Sequence, residues 1–339
     1  MRNVARHEMM AMDRDLIDSL RGSRWIVTGA TGLVGSCLVG FLGELDRRHS
    51  LGISITCAVR NVAKAVAMFG GNGCKMYFHE YDFASGKPFC PPHEADYIVH
   101  LASPTASKDF VGRPVETMIT SLAGTRQVLE HARRAGKRLK GMVYVSSLEV
   151  YGTVTDDSEP LAEDRQGYLD PMQARSSYPM AKRAAECLCH AYSAEYGVRV
   201  MTARLAQTFG TAVAGNDNRV FAQFARCAAA DTDIVLFTEG KLRRCYCHTE
   251  DAVEAMVYIL LRGESGAAYN VANEATYISV RDMAEMVCRE FGKNMRVRIE
   301  PRDGMGFSPV TYLRLDTSRI RALGWQPRHN LRQMFEGII

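Results

Sequence analysis

No apolar run in this 339-residue chain approaches the ~20 residues that a helix needs to cross a bilayer, so no membrane span is expected. An excess of one charge is missing too. The 42 Lys and Arg against 38 Asp and Glu leave a net charge of +4, too small to carry a nucleic-acid reading. The basic cluster "HARRAGKRLK" (131–140) reads as the exposed end of a helix. The first twenty-odd residues mix Arg, Asp and Glu and lack the apolar core of a secretory signal. With ten scattered cysteines, this points to a cytoplasmic chain carrying free thiols. Cys187 and Cys189 fall in a helical pattern, where i and i+2 diverge around the axis. Cys245 and Cys247 can share a strand face, but no His or Cys pair stands at zinc-ligand spacing from them, so no metal is expected. No internal repeat or low-complexity tract is visible.

What is present is alternation. "RWIVTGA", "ISITCAVR", "ADYIVHLAS", "KGMVYVSS" and "VRVMTARLA" are strand-like runs. Between them lie helical patterns: "LVGSCLVGFLGEL", "NVAKAVAMF", "PVETMITSLAGTRQVLEHARRA" and "YPMAKRAAECLCHAYSAEYG". Strands separated by helices of this length predict βαβ units and a parallel sheet. Residues 1–22 read as a polar, helical extension, and 23–205 as the main sheet domain, whose sheet is completed around 245–273. The rhythm then changes, and 206–244 with 274–339 read as a smaller second lobe of short strands and helices.

"IVTGATGLVGS" places Gly29, Gly32 and Gly35 between a strand and a helix. Glycine serves there because the turn needs unusual backbone angles and a pyrophosphate must approach bare backbone at a helix N-terminus. The expected fold class is therefore α/β: a Rossmann-like doubly wound parallel sheet with a smaller, interleaved C-terminal α/β lobe. Thr31, Leu33 and Val34 in the same loop, and Leu101, Ala102 and Ser103 after a later strand, are further candidate cofactor contacts. The second strand ends at Arg60, where an acid would ordinarily grip the ribose hydroxyls. An arginine pairs instead with a 2′-phosphate, which tilts the cofactor from NAD towards NADP.

Tyr178 and Lys182 lie four apart at the start of a helix, hence on one face. A free tyrosine, with a pKa of about 10, is a poor base at neutral pH. A neighbouring ammonium stabilises its phenolate. Ser147, at the end of "KGMVYVSS", would align a substrate hydroxyl with that phenol. Glu149, two residues on, is a candidate second base: once a hydroxyl becomes a ketone, the neighbouring C–H is acidified. Capping of the turn and pairing with Arg244 are the structural alternatives for this carboxylate.

From about residue 23 onward the chain resembles the extended short-chain dehydrogenase/reductase family of NAD(P)-dependent sugar epimerases and dehydratases, most closely its UDP-glucuronate decarboxylase branch. The similar stretches include "HLASPTAS" (100–107), "SSLEVYG" (146–152), "RSSYPMAKRAAE" (175–186), "RLAQTFG" (204–210), "NDNRV" (216–220), "GKLRRCY" (240–246) and "LGWQP" (323–327). The resemblance implies Ser147, Tyr178 and Lys182 as the catalytic set, with Glu149 beside them. It implies Asp82 at the adenine, a substrate-binding role for the lobe 206–244 and 274–339, Gln207 and Arg219 at a nucleoside diphosphate sugar, and Arg244 at its diphosphate or in proton transfer. It also implies a homodimer through helices of the type at 112–136 and 178–196. Three departures stand out: Leu148 where dehydratases place an aspartic acid, Ser121 for an asparagine, and Gln207 for another. Leucine cannot protonate a leaving hydroxyl, so oxidation followed by epimerisation is the leading expectation, with decarboxylation next. A simple NADPH-dependent carbonyl reductase is a further alternative, but gives Arg244 nothing to bind. A non-catalytic NADP-binding module would not need the Ser, Tyr and Lys.

Overall fold

A computed structural model of the chain describes residues 12–211, 213–302 and 309–339. The elements begin with α1 (Arg14–Ser19), β1 (Arg24–Thr28), α2 (Leu33–His49), β2 (Ser54–Val59), α3 (Val62–Phe69), β3 (Lys75–Glu80) and β4 (Tyr97–His100). Next come α4 (Ser107–Gly112), α5 (Pro114–Ala135), β5 (Gly141–Ser147), α6 (Ser177–Tyr196), β6 (Val200–Leu205), β7 (Gln207–Phe209), α7 (Val220–Ala230) and β8 (Ile234–Leu236). The series closes with β9 (Arg243–His248), α8 (Thr249–Arg262), β10 (Ala268–Val271), β11 (Asn273–Ser279), α9 (Val280–Phe291), β12 (Val297–Ile299), β13 (Tyr312–Leu313), α10 (Ser318–Arg321) and α11 (Leu331–Glu336). The first eleven residues of the predicted helical extension lie outside the described residues.

The described residues fall into two compact units. One is built from those of Met1–Ser146, Pro171–Ala203 and Val253–Ala268, the other from those of Ser147–Asp170, Arg204–Ala252 and Tyr269–Ile339. The principal sheet has the strand order β10-β6-β5-β4-β1-β2-β3. The pairings of β1 with β2 and β4, of β2 with β3, and of β4 with β5 are parallel. The order therefore runs outward in opposite directions from β1 and β4, and the crevice at their C-terminal ends is where such sheets bind ligands. The strands are near-continuous apolar runs because helices cover both faces. Ile26, Ile98 and Met142 of β1, β4 and β5 are fully buried with Val128 and Leu129 of α5. On α6, Tyr178, Ala181, Lys182, Ala185, Cys189 and Tyr192 form its buried face, while Cys187 is exposed as the helical spacing predicts. Gly124 of α5 is needed at a close approach: a Cβ there would sit 3.0 Å from Cβ of Phe83.

The second unit has its own core, with Phe209, Phe221, Phe224, Met283, Met334 and Phe335 buried together. Its sheet has the order β11-β9-β13, and β7 also pairs with β9. A buried polar network crosses it. The Tyr151 hydroxyl donates to Asn270 Oδ1 at 2.7 Å, Arg204 Nη1 donates to the Glu163 carbonyl at 2.7 Å, and the Asn270 backbone N–H donates to Glu163 Oε1 at 2.8 Å. The Asp251 carboxylate accepts from the backbone N–H groups of Arg328 and His329, both at 3.1 Å, while the Asp251 carbonyl accepts from Trp325 Nε1 at 3.1 Å. All ten cysteines are free thiols. Among the described residues no helix is long and apolar enough to cross a membrane.

Candidate active site

The glycine loop lies directly after β1. Gly29 has φ of +66°, in the region that favours glycine, and a Cβ there would come 3.0 Å from the Ala102 nitrogen. A Cβ on Gly35 would overlap the Gly29 carbonyl oxygen. Gly32 is the N-cap of α2 and has no side-chain cap, so the helix N-terminus keeps bare N–H groups facing the crevice end of β1. Thr31, Leu33 and Val34 are half-buried around it. Such a cradle, which side chains would fill, fits a dinucleotide pyrophosphate.

A buried hydrogen-bonded chain ties this loop to the next one. Thr28 Oγ1 accepts the N–H groups of Leu101 and Ala102, both at 3.1 Å, and lies 2.7 Å from His100 Nδ1. Burial, helped by the Lys182 charge, pushes His100 down to about 3, so the ring stays neutral. The threonine hydroxyl, already accepting twice, donates to Nδ1, which leaves the ring proton on Nε2, 3.3 Å from Thr125 Oγ1. Ser103 Oγ is 3.0 Å from Ser121 Oγ. Ser121 thus holds the 101–103 loop against α5. The sequence reading did not single out His100, whose only signal was a polar residue closing an apolar strand.

Arg60 follows β2 immediately and is exposed. Asp82 lies just past β3, exposed, with its Oδ1 accepting the Ala84 N–H at 3.0 Å in a turn. Both stand at the C-terminal ends of adjacent parallel strands.

Tyr178 and Lys182 open α6. Lys182 is buried, and its Nζ donates to the Val145 carbonyl of β5 at 2.8 Å. The amine lies 5.8 Å from the Tyr178 ring centroid and 4.9 Å from that of Tyr144. Burial pulls the lysine down to about 8, with Glu186 opposing the fall. At neutral pH it therefore remains mostly charged, and a positive charge beside a phenol favours the phenolate. Phe110 of α4 stacks on Tyr178, with Arg175 4.9 Å from the Phe110 ring centroid. Ser177 Oγ donates to the Phe110 carbonyl at 2.9 Å. Nothing in "SKDF" announced this contact.

In the second unit, Ser147 closes β5 and caps the 3₁₀ turn Leu148–Tyr151, its Oγ accepting the Glu149 N–H at 3.2 Å. Capping of the turn thus falls to the serine hydroxyl. Leu148 is buried and Glu149 half-buried, so the turn directs them differently. Gln207 of β7 and Arg244 of β9 meet: Arg244 Nη1 donates to Gln207 Oε1 at 3.3 Å. The buried Arg244 Nε has no hydrogen-bond partner among the described residues, and a guanidinium N–H left so is a donor awaiting an acceptor. Arg219 is the N-cap of α7 and is clamped by Asp217, whose Oδ2 lies 2.5 Å from Nη2.

The family model described as "NAD dependent epimerase/dehydratase family" matches residues 25–272. UDP-glucuronic acid decarboxylase 1 of Danio rerio is 29% identical over 240 residues, covering 69% of this chain and 54% of that protein. UDP-glucuronic acid decarboxylase 2 of Arabidopsis thaliana is 28% identical over 319 residues, covering 92% of this chain and 66% of that protein. The chain thus spans between half and two thirds of the length of these relatives. Among solved structures, the UDP-glucose 4-epimerase of Thermotoga maritima with UDP-glucose superposes with a TM-score of 0.75 at 20% identity, covering 93% of this chain and 97% of that one. Sheet order, glycine cradle and sequence match agree, and the chain belongs to the NAD dependent epimerase/dehydratase family.

Proposed function

We propose that this chain oxidises a ring hydroxyl of a nucleoside diphosphate sugar, at C4 as in the family pattern, and then epimerises the ketone. The observation that carries this reading is the buried, charged Lys182 amine held beside the Tyr178 ring. In it, Ser147 orients the substrate hydroxyl and Tyr178 takes its proton, while Lys182 stabilises the phenolate. A bound NAD(P) supplies the hydride acceptor, held by the glycine loop, Leu101–Ser103 and Asp82. Glu149 then removes the proton on the carbon next to the ketone, and a proton is returned on the opposite face. Tyr178 reprotonates the oxygen as the carbonyl is reduced back, which returns the hydride and restores the hydroxyl. Leu148 has no proton to give a leaving hydroxyl, so loss of water is not part of the reading. Arg244 and Gln207 receive the anionic diphosphate, and Arg219 lies at the nucleotide end. Arg60 selects NADP by pairing with the 2′-phosphate.

Decarboxylation is the second reading, favoured by the names of the curated relatives and by the open Arg244 N–H, which suits a sugar carboxylate as well as a phosphate. Incubation with UDP-, GDP-, CDP- and dTDP-sugars, UDP-glucuronate included, followed by NMR, separates the outcomes. An inverted stereocentre supports epimerisation, and released CO2 with a pentose product supports the second reading. Neither product nor cofactor reduction across the panel would remove the nucleotide-sugar assignment. A homodimer through α5 and α6 belongs to the same proposal. It is supported by the exposed apolar stripe Val111, Val115, Met118, Ile119 and Leu122, which repeats at helical spacing along α4 and α5.

A further inference from the structure

The second unit brings a distant histidine to a neighbouring His–Glu pair with metal-binding side chains. His248 ends β9, Glu250 lies in the first turn of α8, and His329 precedes α11. One nitrogen from each ring and one Glu250 oxygen lie within 4.8 Å of each other. His329 Nε2 is 3.7 Å from Glu250 Oε2, and the His248 and His329 ring centroids are 4.0 Å apart. We infer that His248, Glu250 and His329 form a binding site for a divalent transition-metal ion of the zinc type, separate from the residues assigned to the reaction.

The support is in the surroundings. His329 Nδ1 lies 2.9 Å from Oδ1 of the fully buried Asp251. A histidine that ligates a metal through one nitrogen characteristically donates its other N–H to a carboxylate, which fixes the tautomer and makes the free nitrogen a better ligand. Here that places the Nε2 lone pair towards Glu250. Two imidazoles and one carboxylate favour zinc-like ions over calcium or magnesium, and three protein ligands leave one tetrahedral position for water. Ligand atoms around tetrahedral zinc lie roughly 3.3 Å apart, so closure from 4.8 Å is a matter of up to about 1.5 Å, within reach of the half-exposed Glu250 side chain. The Glu250 N–H lies 3.3 Å from His248 Nδ1, and Arg328 Nε lies 3.8 Å from Asp251 Oδ1. An ion here would fasten the start of α8 to the segment leading into α11. The cysteine pairs considered in the sequence are not involved, and with its histidines 81 positions apart the site has no signature in sequence spacing.

The test is titration of untagged, chelator-stripped full-length protein with Co2+, then competition with Zn2+. Expected are visible d–d bands at one ion per chain without the near-ultraviolet thiolate band that the ten cysteines would give, and a higher melting temperature with Zn2+. Glu250→Gln should weaken binding about tenfold or more, in line with the loss of one anionic ligand, and His329→Asn should abolish it. If the His329 variant misfolds, the half-exposed Glu250 site still decides. No uptake, a thiolate band, or uptake unchanged by Glu250→Gln would each overturn the inference. None of these readouts depends on the sugar chemistry.

Discussion

Phe110 lies face to face with Tyr178, the ring centroids 4.2 Å apart and the planes within 9° of parallel. Phe110 is buried and held at its carbonyl by Ser177, so the phenol plane is set by a neighbour with no chemistry of its own. Phe110→Leu should lower kcat about ten- to a hundredfold while KM changes little, since a misplaced reacting group loses rate before it loses binding. A melting curve run beside the kinetics separates this from unfolding. An unchanged kcat in a folded variant would mean the stack is packing only.

Tyr178→Phe removes the proposed base and should slow oxidation by about 10²–10⁴-fold. Lys182→Met should slow it as well, and should move the acidic limb of the kcat pH profile upward as the phenol loses its cationic neighbour. Near-normal turnover in Tyr178→Phe would put the base elsewhere.

NADP should bind more tightly than NAD by about ten- to a hundredfold, the worth of one charge-assisted hydrogen-bonded pair. Arg60→Ala should erase the difference. Equal affinities in the unaltered protein, measured by fluorescence titration, would leave Arg60 without this role.

Stability should fall between pH 9 and 11. Burial pushes Cys57 from an ordinary 9.0 up to about 12. It pushes Cys74 and Tyr151 up to about 12 as well. Groups raised in the fold leave stability intact below their unfolded values and withdraw it as pH climbs towards their folded ones. Lys182 acts oppositely: its folded value of about 8 lies below the ordinary 10.5, so its burial penalty is relieved across that interval. At about 1.4 kcal/mol per pH unit, Cys57 alone loses on the order of 3 kcal/mol by pH 11, which cancels the lysine. The remaining thiols and tyrosines then tip the balance. Chemical denaturation at pH 8, 9.5 and 11 checks the sign, and Cys57→Ser should flatten the slope.

Ile119→Lys should convert a dimer to a monomer in sedimentation, because it sets a charge in the middle of the exposed α5 stripe. A monomer before substitution would remove the dimer proposal.

Legibility in the sequence tracked the length and periodicity of each element. The 22 residues of α5 were readable end to end, from a proline at N1 to Gly136 at its close. The glycine loop was readable because its residues are neighbours in the chain. The second unit was less so, since three-residue strands such as β7, β8 and β12 carry no period to detect. The site was legible where it rests on local spacing, as with Tyr178 and Lys182. It was silent where partners come from distant segments, as with Phe110 at Tyr178, His100 under the glycine loop, and the open Nε of Arg244.

Asp251 has a temporal consequence. Its carboxylate is buried with partners that follow it by 77 and 78 residues. At a synthesis rate of about 5–20 residues per second, the ribosome needs roughly 4–16 seconds to deliver them. Through that interval the nascent chain carries an ionised group that cannot enter the interior. Closure of the second unit is thereby deferred until the segment around His329 has been made, and a ribosome stalled before it holds a chain whose last core is still open.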